Sequence, residues 1–259
     1  MTTLFISDLH LEADRPEIGR QFLSFLEREA AGADALYILG DLFEYWIGDD
    51  DPDPYYADMK TALAGLTDRG VPVFFLHGNR DFLIGERFAE ETGLRLLPDP
   101  SLVNVYGRTI LLSHGDALCT EDVEYQKVRA LTRDPQWQAM MLEKSVDERR
   151  AIARQARADS MAHGASIDLA ISDVNPTAVE NLLRTHGADI LLHGHTHRPA
   201  IHEFLLGDRP AMRIVLGDWY TQGSVVRWNE DGPTLDALPR APTGAGGRCG
   251  SGTRGRGSR

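Results

Sequence analysis

Residues 3–10 read TLFISDLH, a short apolar run that ends in an acid and a histidine. Branched and aromatic side chains in residues 3–7 predict a β-strand, and Asp8 and His10 come where that strand should end. A helical, amphipathic pattern follows over residues 18–29, and a second β-rich run follows over 35–39. This alternation indicates α/β construction with at least partly parallel strands.

The alternation continues outward from this stretch and then changes. A helical pattern covers residues 55–67 and a β-rich run covers 71–76; later strand candidates are 109–113, 189–192, 213–216 and 224–228. The last of these follow one another without helices, so part of the sheet structure should be antiparallel or form a second layer. We predict an α/β fold in which two mixed β-sheets pack together with helices on the outside.

Two stretches depart from this pattern. Residues 121–166 lose the strand signal and place Leu131, Trp137 and Met140 among charged helix formers, which predicts a helical insertion, or lid, over the core. Residues 241–259 are rich in Gly, Arg and Ser and contain no acid, which is typical of a disordered tail. The length of 259 residues favours one domain over residues 1–240, with the insertion included.

Composition excludes several classes of function. The formal net charge is −12, and the tail contains arginine without acids, so the remaining chain is more acidic still and should repel nucleic acid. The two cysteines, Cys119 and Cys249, do not suggest a disulfide framework, which fits a reducing compartment. We expect no signal peptide and, without a run of about 18 apolar residues, no membrane span. Attachment to a membrane surface stays open.

Five strand candidates end in small polar signatures. The candidate ligands in these signatures are Asp8, His10, Asp41, Asn79, His114, His195 and His197. Functional residues of α/β proteins gather where strands end and loops begin, so these segments can converge although they are far apart in sequence. Glycine accompanies four of the five and lets the backbone turn tightly beside a bound ion.

The types of ligand point to a two-ion site. Asp, Asn and His without cysteine suit Mn²⁺, Fe²⁺ or Zn²⁺, and seven candidates exceed what one ion with an open position needs. Two ions about 3.5–4 Å apart that share a carboxylate would use all seven. Such a pair would attract a phosphoryl group and could lower the pKa of a bridging water enough to give a nucleophile near neutral pH.

In this order, the motifs D-x-H, GD, GN-x-D, HGD and GHTH resemble the calcineurin-like metallophosphoesterases over most of residues 1–220. Within that superfamily, the stretches LGDLFE (39–44), WIGDDD (46–51), HGNRDF (77–82), HGDALCT (114–120) and HGHTHRP (193–199) are similar to the UDP-2,3-diacylglucosamine diphosphatase family. That family hydrolyses UDP-2,3-diacylglucosamine to UMP and 2,3-diacylglucosamine 1-phosphate (lipid X) in lipid A biosynthesis.

The resemblance implies further properties of the enzyme. It implies two Mn²⁺ per chain, a water that the two ions activate and that attacks the nucleotide-side phosphorus, and a peripheral position on the cytoplasmic face of the inner membrane of a Gram-negative bacterium. Asp8, His10, Asp41 and His197 would bind the first ion. The second ion would be bound by Asn79, His114 and His195 together with Asp41, which bridges the two ions.

The resemblance also implies the residues that meet the substrate. Asn79, Arg80 and His195 would act in catalysis and, with Asp122 and Ser160, would contact the substrate. Where the family usually has Asn and Lys in the following stretch, this chain has Gly164 and Ile167, so the contacts of that stretch stay open and His163 or Arg157 are alternatives.

Arg80 restricts the type of leaving group, and therefore of substrate, that the site suits. Many relatives carry histidine after Gly-Asn, where an imidazole can protonate an alkoxide leaving group, and arginine cannot do this at any usable pH. Its planar guanidinium suits phosphoryl oxygens and charge in the transition state. A phosphate leaving group departs without protonation, so Arg80 favours a pyrophosphate substrate over a simple diester.

Other polar residues have plainer explanations. His77 and His193 precede glycines in apolar strands and should be packed or ligand-supporting histidines rather than ligands. Asp81 and Asp116 should orient neighbouring groups or cap helices. The acidic stretch 49–51 lacks the spacing of a calcium loop and predicts a solvated turn. The Trp and Met residues of the insertion fit ordinary helix packing as well as an acyl pocket.

Two rival functions remain from the sequence. One is another nucleotide-diphosphate pyrophosphatase or phosphodiesterase with the same metals and Arg80. The other is a non-catalytic metal-binding scaffold on a decayed fold, which predicts missing ligands, whereas this chain retains all seven.

Overall fold

The opening strand, β1 (Thr3–Ile6), lies inside a six-stranded sheet. The computed structural model describes residues 1–166 and 173–240, with only the helical backbone for 161–166. The predicted tail 241–259 lies outside the described residues. The other strands are β2 (Ala35–Ile38), β3 (Val73–Leu76), β4 (Arg95–Leu97), β5 (Ser101–Val105), β6 (Arg108–Ser113), β7 (Ile190–His193), β8 (Ala200–Leu206), β9 (Arg209–Val215), β10 (Gly223–Asn229) and β11 (Gly232–Leu238).

The strands form two mixed sheets, as the sequence predicts. The first has the order β11-β10-β1-β2-β3-β4, in which β1 to β4 run parallel and β10 and β11 are antiparallel additions. The second has the order β5-β6-β7-β9-β8, in which β6, β7 and β9 run parallel. Because β1, β2 and β3 are adjacent and parallel, their carboxyl ends share one edge, and the same holds for β6 and β7.

The two sheets pack face to face. One apolar cluster contains Phe5, Tyr37 and Leu76 from the first sheet together with Leu112 and Leu192 from the second. Phe5 stacks on Tyr37 with ring centroids 5.0 Å apart. Alternate residues of each strand point into this layer, which is the pattern of sheets packed about 10 Å apart.

Helices cover the outer faces of both sheets. The helices are α1 (Pro16–Arg28), α2 (Pro54–Asp68), α3 (Glu86–Thr92), α4 (Val123–Thr132), α5 (Pro135–Leu142), α6 (Val146–Ser166) and α7 (Pro176–His186). Helix α1 buries Ile18, Phe22 and Phe25, one stripe at helical spacing, and packs with α2 and α3 on the first sheet. Val179 and Leu183 of α7 pack against Leu111 and Leu191 of the second sheet.

Helices α4, α5 and α6 occupy the stretch predicted as an insertion, and α6 is tied to the loop after β2. Arg149 is buried and binds the carboxylate of Asp50 and the carbonyl of Ile47, and Arg150 binds Asp51 at 2.9 Å. The prediction of a solvated turn at 49–51 is therefore wrong for Asp51, which is only 8% exposed. Asp50 and Asp51 each pair with an arginine of the insertion, and such a partner offsets the cost of burying a carboxylate.

None of the described helices combines the length and apolar character that a membrane-spanning segment requires.

Candidate metal centre

All seven predicted ligands follow the carboxyl ends of strands and meet at one edge of the two sheets. Asp8 and His10 follow β1, Asp41 follows β2 and Asn79 follows β3. His114 follows β6, and His195 and His197 follow β7. Backbone hydrogen bonds join the loops within each sheet: Asp8 N donates to Gly40 O at 3.1 Å, and Gly194 N donates to His114 O at 2.9 Å.

The backbone at these residues is unusual. Among the described residues, six other than glycine have a positive φ, and five of the six are predicted ligands: Asp8, His10, Asp41, His195 and His197, with φ between 52° and 66°. Side chains disfavour this left-handed conformation, which persists only where surrounding contacts impose it and is concentrated at functional sites.

Glycines allow the loops to approach closely. A Cβ on Gly78 would lie 2.1 Å from Asp41 Oδ1, and a Cβ on Gly194 would lie 2.2 Å from Asp8 Oδ2. Both distances are far below a van der Waals contact. The glycines beside the candidate ligands therefore have the role that the sequence predicted for them.

The ligand atoms divide into two halves with Asp41 between them. On one side, His10 Nε2 lies 3.4 Å from His197 Nε2 and 3.9 Å from Asp41 Oδ2, and His197 Nε2 lies 3.3 Å from Asp8 Oδ1. On the other side, Asn79 Oδ1 lies 3.0 Å from both His114 Nε2 and His195 Nδ1. His114 Nε2 is 3.7 Å from Asp41 Oδ1. The two oxygens of Asp41 thus face opposite halves.

Groups outside the centre orient three of the four histidines. His114 Nδ1 lies 2.9 Å from the carbonyl oxygen of Leu39, His10 Nδ1 lies 2.9 Å from Glu44 Oε2, and His197 Nδ1 lies 3.4 Å from Asp218 Oδ2. A proton held on Nδ1 by such a partner leaves Nε2 free to bind a cation.

Burial and neighbouring charges shift the pKa values of the candidate ligands in different directions. Burial would raise the pKa of Asp8, but His197, His114 and His10 hold it well below its usual value. Burial would lower the pKa of His114, but Asp41, Asp116 and Asp8 raise it to about 9. Burial and His114 lower the pKa of His195 to about 4. Near pH 7 the cluster thus contains ionised carboxylate beside a protonated His114 and a neutral His195.

The residues to which the sequence assigned supporting roles lie outside the cluster of ligand atoms. His77 contacts the carbonyl oxygen of Ile84, and His193 is buried with its Nδ1 against Gly194 O. Asp81 accepts from the backbone N–H groups of Leu42 and Gly78 and so holds two of the loops.

Asp116 anchors the insertion. Its Oδ2 accepts from Arg129 Nε at 2.8 Å and from the Tyr125 hydroxyl at 3.0 Å, both on α4. The side chains of Asp81 and Asp116 therefore orient neighbours, as the sequence predicted.

A cavity of about 470 Å³ leads from the centre to the insertion. Asn79 and Arg80 line its inner end, and Ser160 of α6 lines it as well, with its hydroxyl 3.3 Å from Arg80. Apolar side chains of the insertion line the rest, among them Val128, Leu131, Trp137, Met141 and Ile152.

The other predicted substrate residues are placed differently. Asp122 caps α4 by accepting from Tyr125 N and is not part of the cavity wall. Gly164 belongs to α6 in the part whose side chains are not described, as does His163, and Ile167 lies outside the described residues.

Several neighbours of the centre lie outside the predicted ligand set. Glu44 and Tyr220 contact His10, and the ring of Tyr125 lies 5.6 Å from that of His195. Arg157 of α6 forms an ion pair with Glu44. Only the fold brings these residues to the ligands, because most are remote from them in sequence. Glu44 could have been suspected from its place in the same loop as Asp41.

Comparison with known proteins places the chain in a family. The family model described as calcineurin-like phosphoesterase matches residues 1–199. A protein of Stenotrophomonas maltophilia (strain K279a) named UDP-2,3-diacylglucosamine hydrolase is 54% identical over 93% of this chain and 100% of its own length. A protein of the same name from Escherichia coli O7:K1 is 51% identical over 92% of this chain and 100% of its own. With the ligand-bearing loops joined at one sheet edge, these similarities establish that the chain belongs to the calcineurin-like phosphoesterases and, among them, to the UDP-2,3-diacylglucosamine hydrolase family.

Proposed function

We propose that the protein hydrolyses the pyrophosphate bond of UDP-2,3-diacylglucosamine to UMP and 2,3-diacylglucosamine 1-phosphate, with a water attacking the nucleotide-side phosphorus. The family membership makes the chain a metal-dependent hydrolase. One observation carries the assignment of substrate: a single cavity joins the candidate metal centre, at Asn79 and Arg80, to an apolar wall of the insertion. A substrate with a diphosphate at one end and acyl chains at the other matches that division.

Divalent cations fit the donor set of the centre. Asp8 forms two groups of buried or half-buried donors, one with His10 and His197 and one with Asp41 and His114, and within each group the donor atoms lie within 4.8 Å of one another. Oxygen and imidazole donors without thiolate suit Mn²⁺, Fe²⁺ or Zn²⁺, and we propose Mn²⁺ on the resemblance. When bound, such ions activate a water and neutralise phosphoryl charge.

We assign the ligands to two ions. Asp8, His10, Asp41 and His197 would hold the first ion. Asn79, His114 and His195 would hold the second together with Asp41. The opposite orientation of the two Asp41 oxygens, toward His10 and toward His114, supports a shared carboxylate.

Arg80 would hold the phosphoryl group beside the ions. Its backbone N–H donates to Asp41 Oδ1 at 2.9 Å, which fixes the residue against the centre. Within the described part of the chain, its buried Nε has no hydrogen-bond partner, so the guanidinium retains a donor for phosphoryl oxygen. Arginine does not supply a proton to the leaving group, which supports a phosphate leaving group and therefore a pyrophosphate.

The insertion would bind the acyl chains and face a membrane. Its cavity side carries Trp137, Met141 and Ile152, and its surface exposes Val123 and Met140 by 57% and 50%. Exposed apolar side chains among arginines are typical of surfaces that lie on anionic bilayers. We propose a peripheral position on the cytoplasmic face of the inner membrane.

A panel of nucleotide diphosphate conjugates tests the substrate. Purified protein with Mn²⁺ should hydrolyse UDP-diacylglucosamine far faster than UDP-N-acetylglucosamine, which has the same nucleotide without long acyl chains. In ¹⁸O-labelled water the label should appear in UMP and not in the sugar phosphate. Comparable hydrolysis of the soluble nucleotide sugar would favour the rival, a general nucleotide pyrophosphatase. No hydrolysis of any conjugate with either Mn²⁺ or Fe²⁺ would favour the scaffold.

A further inference from the structure

Glu44 is a buried acid next to the candidate centre that has no part in holding the ions proposed above. It lies in the loop after β2, three positions beyond Asp41, and is 4% exposed. Its carboxylate has two partners: Oε2 lies 2.9 Å from His10 Nδ1, and Oε1 forms a close ion pair with Arg157 Nε. A buried carboxylate with a cation on one side and an imidazole on the other is stabilised as the anion.

The contact with Glu44 determines which nitrogen of His10 faces the centre. With Nδ1 only 2.9 Å from the carboxylate, Nε2 on the opposite edge of the ring lies toward His197 and Asp41. Tyr220 stacks on the imidazole with ring centroids 5.1 Å apart and an interplanar angle of 16°. The orientation and the plane of the His10 ring are thus both set by contacts with residues outside the ligand set.

Arg157 connects this arrangement to the insertion. It lies on α6, lines the cavity and is 26% exposed at its side chain, whereas its partner Glu44 is enclosed. Arg157 is the guanidinium in direct contact with Glu44, and Arg80 stabilises the same negative charge from farther away. Arg150 ties the same helix to the same loop through Asp51, but it does not contact Glu44 or line the cavity.

We propose that Glu44 is a positioning residue that orients His10 toward the first divalent ion, and that Arg157 of the insertion holds Glu44 in place. The inference rests on the two-ion centre proposed above. It predicts that loss of Glu44 weakens the ion held by His10 and His197 and spares the ion held by His114 and His195. It also predicts that an alteration in the insertion changes metal affinity.

The experiment compares Glu44→Gln, Arg157→Gln and Arg157→Lys with the matched control Arg150→Gln. Metal-free protein is titrated with MnCl₂ by calorimetry, and the electron paramagnetic resonance spectrum is recorded at two Mn²⁺ per chain. Removal of a group that supports a metal-binding histidine typically costs about 10- to 100-fold in affinity. Glu44→Gln should lose that much at one of the two ions only, and its spectrum should change from a coupled pair toward isolated Mn²⁺.

The loss of Mn²⁺ affinity in the arginine variants should depend on how far each substitution disturbs the contact with Glu44. Arg157→Gln should weaken the same ion by less than Glu44→Gln does, Arg157→Lys should restore most of the loss, and Arg150→Gln should bind both ions as the wild type does. In Glu44→Gln, kcat should fall at low Mn²⁺ with the substrate KM unchanged, and excess Mn²⁺ should restore kcat. A structural defect would not be restored by metal.

Unfolding in EDTA checks that each variant is folded before its affinity is compared. Wild-type binding of both ions by folded Glu44→Gln would overturn the role of Glu44, and equal losses for Arg157→Gln and Arg150→Gln would overturn the specific role of Arg157. Failure of the wild type itself to bind two ions would instead overturn the two-ion centre.

Discussion

At the scale of single residues, the chemistry depends on side chains that the fold holds in disfavoured conformations. Five candidate ligands have a left-handed backbone, and three histidines have a carbonyl or carboxylate oxygen within 3.4 Å of Nδ1. Such a centre needs little rearrangement when cations bind, because its donors already converge. The close packing of the loops, which the glycines allow, stabilises this disfavoured backbone conformation.

Arg80 allows a direct test of how the phosphoryl group is held. Arg80→Ala should lower kcat for UDP-diacylglucosamine by about 10²- to 10³-fold, the usual effect of removing one donor that stabilises transition-state charge. Arg80→Lys should recover only part of this, because lysine retains the charge without the planar pair of donors. Arg95→Lys, on the surface over Phe74, is the matched control and should leave steady-state kinetics unchanged. Wild-type kinetics for Arg80→Lys would show that the planar guanidinium is not needed.

The pKa of His114 predicts how metal binding depends on pH. In the metal-free protein this pKa is raised to about 9, so His114 carries a proton at pH 7 that a cation must displace. Mn²⁺ affinity should therefore increase from pH 7 to pH 9 and level off above that. Calorimetry in two buffers of different ionisation enthalpy should detect proton release at pH 7. Heats that do not depend on the buffer would contradict this assignment of charge.

At the scale of elements, the loops after the strands decide whether the ligands can meet. Gly78→Ala should abolish Mn²⁺ binding and activity, because the added Cβ would lie 2.1 Å from Asp41 Oδ1 and 2.3 Å from Asp41 N. Gly65→Ala makes the same chemical change inside α2, where no atom lies within 4 Å of the added group. That control should raise the free energy of unfolding by about 0.5–1 kcal/mol. Urea unfolding and activity assays measure both effects. An active Gly78→Ala variant would refute the close contact between Gly78 and Asp41.

Sequence periodicity predicts the inner strands and misses the strands at the edges of the two sheets. The runs at 3–7, 35–39 and 109–113 correspond to β1, β2 and β6 within one residue at each end, because their buried residues are continuous or β-branched. The strands β4, β5, β8 and β11 were not predicted. Each lies at the edge of a sheet and is short or largely exposed, so it lacks an apolar pattern. Helices α3 and α7 were also missed.

The residues of the candidate site were likewise predictable only in part. The convergence of the seven candidate ligands was predictable because each sits in a short polar signature directly after an apolar strand. The contacts of Glu44 and Tyr220 with His10 were not, and Arg157 was predicted only as an alternative substrate contact, since these contacts join distant parts of the chain. The buried state of Asp51 likewise depends on Arg150, which lies on another element and was not anticipated as its partner.

At the scale of the whole molecule, the body carries the candidate metal centre and the insertion carries the apolar wall of the cavity. The sheets deliver the ligands to one edge, and helices α4 to α6 extend the cavity from that edge with apolar side chains. The ion pairs of Arg149, Arg150 and Arg157 with Asp50, Asp51 and Glu44 hold α6 on the body. A substrate with a polar and an apolar end would span both parts.

The proposed membrane position is tested on the outer surface of the insertion. Met140→Glu should weaken sedimentation with vesicles of phosphatidylethanolamine and phosphatidylglycerol, because it puts a negative charge on a half-exposed apolar site of α5. Leu205→Glu is the matched control: Leu205 is 66% exposed on β8, away from the insertion, and its replacement should not alter sedimentation. Equal sedimentation of both variants would contradict a membrane-facing insertion.

Anomalous diffraction from crystals grown with Mn²⁺ would show whether two divalent cations sit among the seven candidate ligands. We expect two anomalous peaks about 3.5–4 Å apart, one contacted by His10 and His197 and the other by His114 and His195, with Asp41 between them. A single peak, or none, with these side chains turned away from one another would contradict it.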